Sequence, residues 1–178
     1  MKKQTLKLTY AALCLALALV LPLLTGQIPQ IGQMLSPMHI PVLLCGFLCG
    51  WQYGLAVGFV APLLRYLIFG MPVILPMGLS MAFELAVYGL VCGLLYRSLP
   101  KKKINIYVSL ITAMVCGRIV WGIVRLALAG VMHSEFTFKA FLAGAVTSAV
   151  PGIILHLLLI PVIVMALEKA KLVPNGKE

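Results

Sequence analysis

Charged side chains are scarce in this chain of 178 residues, of which only 10% are charged. Acidic residues are the rarest, with four Asp and Glu together, while 62% of the residues are apolar and the mean hydropathy is +1.10. A soluble domain is about half apolar and about one quarter charged. The shortage of charge therefore excludes an ordinary soluble globule, a disordered protein and a nucleic-acid-binding protein.

The few charges are mostly basic, because 14 Lys and Arg against four acidic residues give a net charge of +10. The lysines lie near the chain ends or in predicted loops, and the four arginines are scattered. They form no patch of the kind that binds nucleic acid. Short loops rich in Lys and Arg stay on the cytoplasmic side of a membrane, so the basic excess indicates membrane orientation.

The longest stretch without a charged residue runs for 57 residues, from Leu8 to Leu64. A spanning helix needs about 20 apolar residues, so this stretch holds more than one span. Lys2 and Lys3 precede an apolar run as in a signal peptide, but no small-x-small cleavage pattern follows near Gly26 and further spans come after it. We therefore expect a retained first helix in an all-α polytopic membrane protein.

The apolar block 39–70 is too long for one span, and the basic clusters decide how it is divided. If the clusters at 2–7 and 97–103 are both cytoplasmic, an even number of spans separates them. Block 39–70 is then a hairpin that turns at Gly50–Gly54, and the bundle has six helices with both termini cytoplasmic. The predicted spans of this single integral membrane domain (residues 1–178) are 8–25, 39–50, 54–70, 74–97, 105–131 and 138–167.

Small residues recur every four positions within several of these spans. In lipid, where no hydrophobic effect drives helices together, this spacing lets helices approach closely, and we interpret the repeats as packing surfaces. They are Gly46, Gly50, Gly54 and Gly58, then Gly78, Ala82 and Ala86 followed by Gly89 and Gly93, and finally Ala140, Gly144, Ser148 and Gly152.

All five cysteines lie in apolar segments, where free thiols behave as small hydrophobes. Cys45 and Cys49 share a helical face, but a zinc site would need two more ligands. No metal site is predicted.

Charges inside spans are costly and are by default hypotheses about function. Glu84 and Arg118 are both predicted near the midplane, and a structural ion pair between them is one interpretation. Arg125 lies seven residues beyond Arg118, with Trp121 between them on the same face. This face also fits the wall of an outward-open cavity, since guanidinium groups suit carboxylates and an indole suits a ring or acyl chain. Arg65 either faces the same cavity or extends to the outer surface.

The three histidines differ in their predicted positions. His39 begins the second predicted helix, which places it at the mouth of the cavity as a candidate ligand contact. His133 lies in an exposed turn and His156 lies deep on the last helix, and both are expected to be structural.

Enzyme signatures are absent from the sequence. It contains no G-x-S-x-G, no H-E-x-x-H and no P-loop, and a single intramembrane carboxylate argues against paired-carboxylate chemistry. We expect a protein that is not an enzyme and holds no cofactor.

The pattern as a whole resembles the S components of energy-coupling factor (ECF) transporters. The strongest match is the apolar hairpin from Met38 to Gly58, with a Pro near its outer start and glycines every four residues. Ala12-Leu-Cys-Leu-Ala16 matches the small-x3-small motif on the family's first helix. The resemblance covers nearly the whole chain.

This resemblance implies a substrate-binding subunit that works with a T subunit and two ATPases, which would use the ATP. Ala12 and Ala16 would dock the T subunit. The substrate site would lie at the outer ends of the later helices under the loop Gln27–Pro37. The residues predicted for it are His39, Glu84, Arg118, Trp121 and Arg125.

The predicted function is capture of a vitamin or similar micronutrient at a bacterial plasma membrane. Two positive charges against one negative favour a carboxylate-bearing substrate such as pantothenate or nicotinate. A neutral ring hydrogen-bonded to Glu84 is the competing case. The alternatives from other classes are an autonomous proton-coupled carrier that uses Glu84, and a membrane scaffold that transports nothing.

Overall fold

The computed structural model describes residues 2–25, 34–100, 102–133, 137–144, 149–170 and 172–173. Every regular element in these ranges is helical, which confirms the all-α prediction. The helices are α1 (Lys2–Val20, continued by the 3-10 turn Leu21–Thr25), α2 (His39–Cys49), α3 (Trp51–Phe69), α4 (Leu79–Ser98, preceded by the π turn Ile74–Gly78), α5 (Lys103–Val131), α6 (Phe138–Leu142) and α7 (Val150–Lys169).

Five segments in this part of the chain are long and apolar enough to cross a membrane, and α2 is a shorter apolar helix. Eleven residues rise about 16 Å, about half of the hydrocarbon core of a bilayer. The long segments are Lys3–Leu24, Trp51–Phe69, Ile74–Ser98, Lys103–Val131 and Val150–Lys169.

The predicted hairpin in block 39–70 exists, but its turn is shorter than expected. Gly50 alone separates α2 from α3, with φ 98° and ψ 173°. Its N–H donates to the carbonyl of Gly46, and its own carbonyl accepts from the N–H of Gly54. The prediction of a turn over Gly50–Gly54 is wrong because glycine tolerates this left-handed φ, so one residue ends the first helix and begins the second.

Glycine contacts bring the backbones of α3 and α4 together. A Cβ on Gly54 would lie 2.7 Å from the carbonyl oxygen of Gly89 and 2.9 Å from the Cα of Gly46. Gly58 meets the backbone of Leu85 in the same way, and Gly93 meets that of Trp51. The residue numbers rise on α3 as they fall on α4, so the two helices are antiparallel. The predicted role of these glycines in packing is confirmed.

The short helix α2 is enclosed by its neighbours. It packs against α1, α3, α4 and α7, and ten of its eleven residues are buried. The side chain of Phe47 meets Tyr96 of α4 edge to face, with ring centroids 5.0 Å apart. Since α2 is too short to cross the bilayer, its first residue, His39, lies inside the bundle and not at its outer end.

The described residues of the last predicted span, 138–167, form two helical segments. The structure has the short α6 and then α7, which begins at Val150, with residues 145–148 outside the described part. Pro151 lies in the first turn of α7, where its missing N–H costs nothing and its fixed φ favours the start of a helix. From the sequence, Pro151 is expected to kink the last helix, whereas in the structure it lies at the start of α7.

We expect Gly89→Ala to lower the free energy of unfolding by about 1–3 kcal/mol, the range for overpacking, because the new methyl group would collide with the backbone of Gly54. Chemical unfolding of the purified protein in mixed micelles measures the change. Gly130→Ala is the matched control, since a Cβ on this helical glycine meets nothing within 4 Å. Equal stability of the two variants would contradict the close approach of α3 and α4.

The topology of six spans with cytoplasmic termini remains a prediction, and cysteine labelling tests it. The Tyr96 hydroxyl donates to the Glu168 carboxylate, so Arg97 and Lys169 lie at the same end of the bundle. In a Cys116→Ser background, Lys102→Cys should resist an impermeant thiol reagent added outside intact cells, while His133→Cys should react. The reverse labelling pattern would contradict the orientation.

Candidate functional site

A buried polar cluster lies where α2, α4, α5 and α7 meet, and Glu84 is at its centre. The Glu84 side chain is 1% exposed, and its Oε1 lies 3.1 Å from Nη1 of Arg118. The same oxygen accepts a hydrogen bond of 3.0 Å from the Tyr88 hydroxyl. The predicted ion pair between Glu84 and Arg118 is therefore present. We call His39, Glu84, Tyr88, Arg118 and His156 the polar cluster.

The local sequence of α4 and α5 explains why these groups meet. Glu84 and Tyr88 are four residues apart and so share a face of α4. Gly117 precedes Arg118 on α5, and a Cβ there would collide with the ring of Tyr88. The absence of a side chain at Gly117 thus leaves room for that ring beside Glu84, and the next residue supplies the guanidinium.

Two histidines complete the polar cluster. The His39 ring lies 5.3 Å from the Tyr88 ring and 5.9 Å from the His156 ring, which it stacks on at an angle of 18° between planes. His39 Nε2 is 3.7 Å from Glu84 Oε1, slightly beyond hydrogen-bond length. His39 was expected at the mouth of the cavity, but the structure buries it.

Sequence reasoning missed two members of the polar cluster. His156 was expected to be structural, and Tyr88 was not singled out at all. The spacing of four residues from Glu84 is the signal that points to Tyr88. No comparable signal points to His156, because its approach to His39 depends on how α7 packs on α2.

Trp121 and Arg125 lie further along the Arg118 face of α5, away from the polar cluster. The Arg125 guanidinium is 5.8 Å from the centre of the Trp121 ring, within the range of a cation–π interaction. Phe141 of α6 lies 6.2 Å from the same indole. Gly144 leaves space for the indole, since its Cβ would lie 2.7 Å from Cη2 of Trp121.

Arg65 belongs to neither group. Its side chain is buried, its Nη1 donates to the carbonyl of Leu19 at the end of α1, and its guanidinium lies 5.1 Å from the ring centre of Phe69. The helix tightens to 3-10 geometry after Val20, and Pro22 has no N–H to offer that carbonyl. Arg65 therefore donates the hydrogen bond that the Leu19 carbonyl lacks within α1. It neither extends to the outer surface nor joins the polar cluster.

Within the described ranges no group of three or more His, Cys, Asp or Glu residues is arranged to hold a metal ion. The cysteines are free, and four of the five are buried. The loop Gln27–Pro37 lies mostly outside the described residues, but its end packs on α7, where Gly152 faces the carbonyl of Met34.

The sequence matches a known family of transporter subunits. The sequence model described as the ECF transporter, substrate-specific component, matches residues 6–164. The chain belongs to this family. No curated protein and no solved structure gives a significant match to it.

Membership makes this chain an S component, the substrate-specific subunit of an ECF transporter and a multi-pass membrane protein. The family is one of transporter subunits and not of enzymes. It implies a small-molecule substrate and partnership with the T and ATPase subunits. The substrate itself does not follow from membership.

The two residues predicted to dock the T subunit are on the surface of this S component. Ala12 and Ala16 are exposed on α1, while Ala11, Cys14 and Ala18 face the core. Large exposed apolar side chains flank the two alanines, at Leu13 and Leu17 among others. The surface is thus apolar, with two small side chains between larger ones, which is compatible with close approach of another helix.

Proposed function

We propose that this S component captures a small, carboxylate-bearing vitamin or micronutrient from outside a bacterial plasma membrane for ATP-driven uptake. The observation that carries the proposal is the row of Arg118, Trp121 and Arg125 on one face of α5. The chain itself would need no cofactor, since the partner subunits would hydrolyse ATP.

The charged side chains near this face of α5 favour an anionic substrate. Arg118 and Glu84 lie 3.1 Å apart and together carry no net charge. Arg125 adds a positive charge about 10 Å further along α5, seven residues away at a rise of about 1.5 Å each. Arg65 is engaged with α1 and adds nothing to the site. Glu84, Arg118 and Arg125 together sum to one positive charge, which favours a carboxylate.

Trp121 narrows the chemistry of the substrate. Its indole is half-buried and lies near both the Arg125 guanidinium and the Phe141 ring. Such a surface favours an apolar arm or a ring next to the carboxylate. Pantothenate offers the former and nicotinate the latter, and both carry one carboxylate.

The alternative of a proton-coupled carrier would require Glu84 to gain and lose a proton during transport. Glu84 is held by Arg118 and by the Tyr88 hydroxyl, and a proton carried by Glu84 would have to break this ion pair. A scaffold protein would gain nothing from a costly buried polar cluster. Neither alternative accounts for the row of side chains on α5.

We expect Arg125→Ala to weaken the binding of a carboxylate substrate by about 1.5–3 kcal/mol, the scale of a charged hydrogen bond. Glu84→Gln should leave that affinity similar or improved, because it removes a negative charge from the face that binds the anion. Titration calorimetry with the purified protein measures both changes, with pantothenate and nicotinate as ligands.

Arg97→Ala is the control for this comparison, since Arg97 is exposed at the opposite end of the bundle. Thermal unfolding of each variant checks that the fold is retained. If the substrate is neutral or cationic, we expect the opposite pattern: Glu84→Gln abolishes binding and Arg125→Ala has no effect.

Replacing Ala12 and Ala16 with Leu should abolish uptake but spare substrate binding, because bulk on this exposed face prevents close helix approach. Uptake of labelled substrate is measured in cells that contain the partner subunits, and binding is measured on the purified protein. Thr9→Leu is the control, because it adds bulk one turn away on the same exposed side of α1 without changing Ala12 or Ala16. Accumulation against a gradient in cells that lack the partners would support the carrier instead.

A further inference from the structure

The polar cluster contains more hydrogen-bonding capacity than its own members use. Among the described residues, both ring nitrogens of His39 and of His156, and Nε of Arg118, are buried without a hydrogen-bond partner. The backbone of Ser36 lies near the His156 ring. The two histidines are 3% and 2% exposed.

Burying polar groups of this kind without hydrogen-bond partners destabilises a fold. Packing alone does not explain two adjacent imidazoles in the interior of a membrane bundle, since apolar rings of similar size would avoid that cost. His39 stacks on His156, and Glu84 Oε1 lies 3.7 Å from His39 Nε2 and 3.1 Å from Arg118 Nη1. The unused groups therefore come from three helices and lie near one another.

We propose that His39, His156 and Nε of Arg118 form a second subsite, which binds a hydroxyl or amide at the end of the substrate opposite its carboxylate. The inference rests on the proposed function, because it places that carboxylate at Arg125. It deepens the proposal by making the substrate an elongated molecule with two polar ends.

The chemistry of the polar cluster selects the kind of group bound there. A neutral imidazole has one donor and one acceptor, so two of them suit a group that can both donate and accept. A carboxylate can only accept, and it would lie close to the ionised Glu84, which is 3.7 Å from His39. Two carboxylates close together repel each other, so the substrate carboxylate belongs at the other end, beside Arg125.

The distance between the subsites sets the length of the substrate. Arg118 and Arg125 are seven residues apart on one face of α5, about 10 Å along the helix axis. Trp121 lies between them and would contact the middle of the molecule. Pantothenate has its carboxylate and its hydroxyls at opposite ends of an extended chain, whereas nicotinate is a single ring that cannot reach both subsites.

The test compares these two probes on four variants by titration calorimetry with the purified full-length protein. His39→Phe and His156→Phe keep an aromatic ring but remove its hydrogen bonds, and each should weaken pantothenate binding about tenfold or more. Nicotinate, if bound, should be unaffected by either change. Arg125→Ala should weaken both probes, and His133→Asn, in an exposed turn, should change neither.

A second pair of variants distinguishes loss of hydrogen bonds from loss of folding. His39→Gln and His156→Gln retain a donor and an acceptor, so each should bind pantothenate more tightly than the matching Phe variant. If panthenol, in which a hydroxyl replaces the carboxylate, binds the wild type, that binding should be weakened by His39→Phe and unaffected by Arg125→Ala.

The outcomes separate the inference from the proposed function. Binding of nicotinate without pantothenate, or pantothenate binding that neither Phe variant weakens, would overturn the second subsite and leave an anion-binding S component in place. Failure of the wild-type protein to bind either carboxylate would overturn both. Loss of pantothenate binding in the Phe variants, with recovery in the Gln variants, supports the subsite.

Discussion

The contact between the backbones of α3 and α4 at Gly54 and Gly89 is the constraint on which the rest of the bundle depends. Helices in lipid gain little from the hydrophobic effect, so close packing must hold them together. The glycines let these two helices touch along several turns, and Gly46 brings α2 to the same point. The short helix is thereby held against α4, and His39 at its start lies beside Glu84.

Glu84 then determines how charge is distributed inside the bundle. It holds the Arg118 guanidinium by an ion pair and is itself held by the Tyr88 hydroxyl. Losing one partner of a buried ion pair costs about 3–5 kcal/mol in proteins, so the pair fixes the geometry of its surroundings. Arg65 is satisfied differently, by a backbone carbonyl. Two of the membrane arginines therefore have separate structural anchors, and Arg125 lies against an aromatic ring.

The two surfaces proposed for this S component lie on different helices that pack against α2. Ala12 and Ala16 are exposed on α1, which packs on α2. The polar cluster lies where α2 meets α4 and α7. The buried helix α2 thus contacts both the helix of the proposed docking surface and the helices of the polar cluster.

Apolar lengths, basic ends and glycine spacing determine much of this protein by themselves. They predict an all-α membrane bundle, a break in block 39–70 and the packing surfaces of α3 and α4, because each depends on local composition or on helical periodicity. The same periodicity places Arg118, Trp121 and Arg125 on one face. It left open whether Glu84 pairs with Arg118, since spacing within a helix carries no information about the rotation of its neighbour.

Only the tertiary structure decided the depth of His39 and the partners of Glu84. His39 begins a helix, and a helix that crossed the whole bilayer would have its first residue at the surface. Because α2 is short and is drawn into the bundle by glycine contacts, this residue lies in the interior beside His156. Arg65 likewise could not be assigned from sequence, as its acceptor is a backbone carbonyl 46 residues away. Such contacts depend on helix rotation and depth, which are set by the packing of the whole bundle.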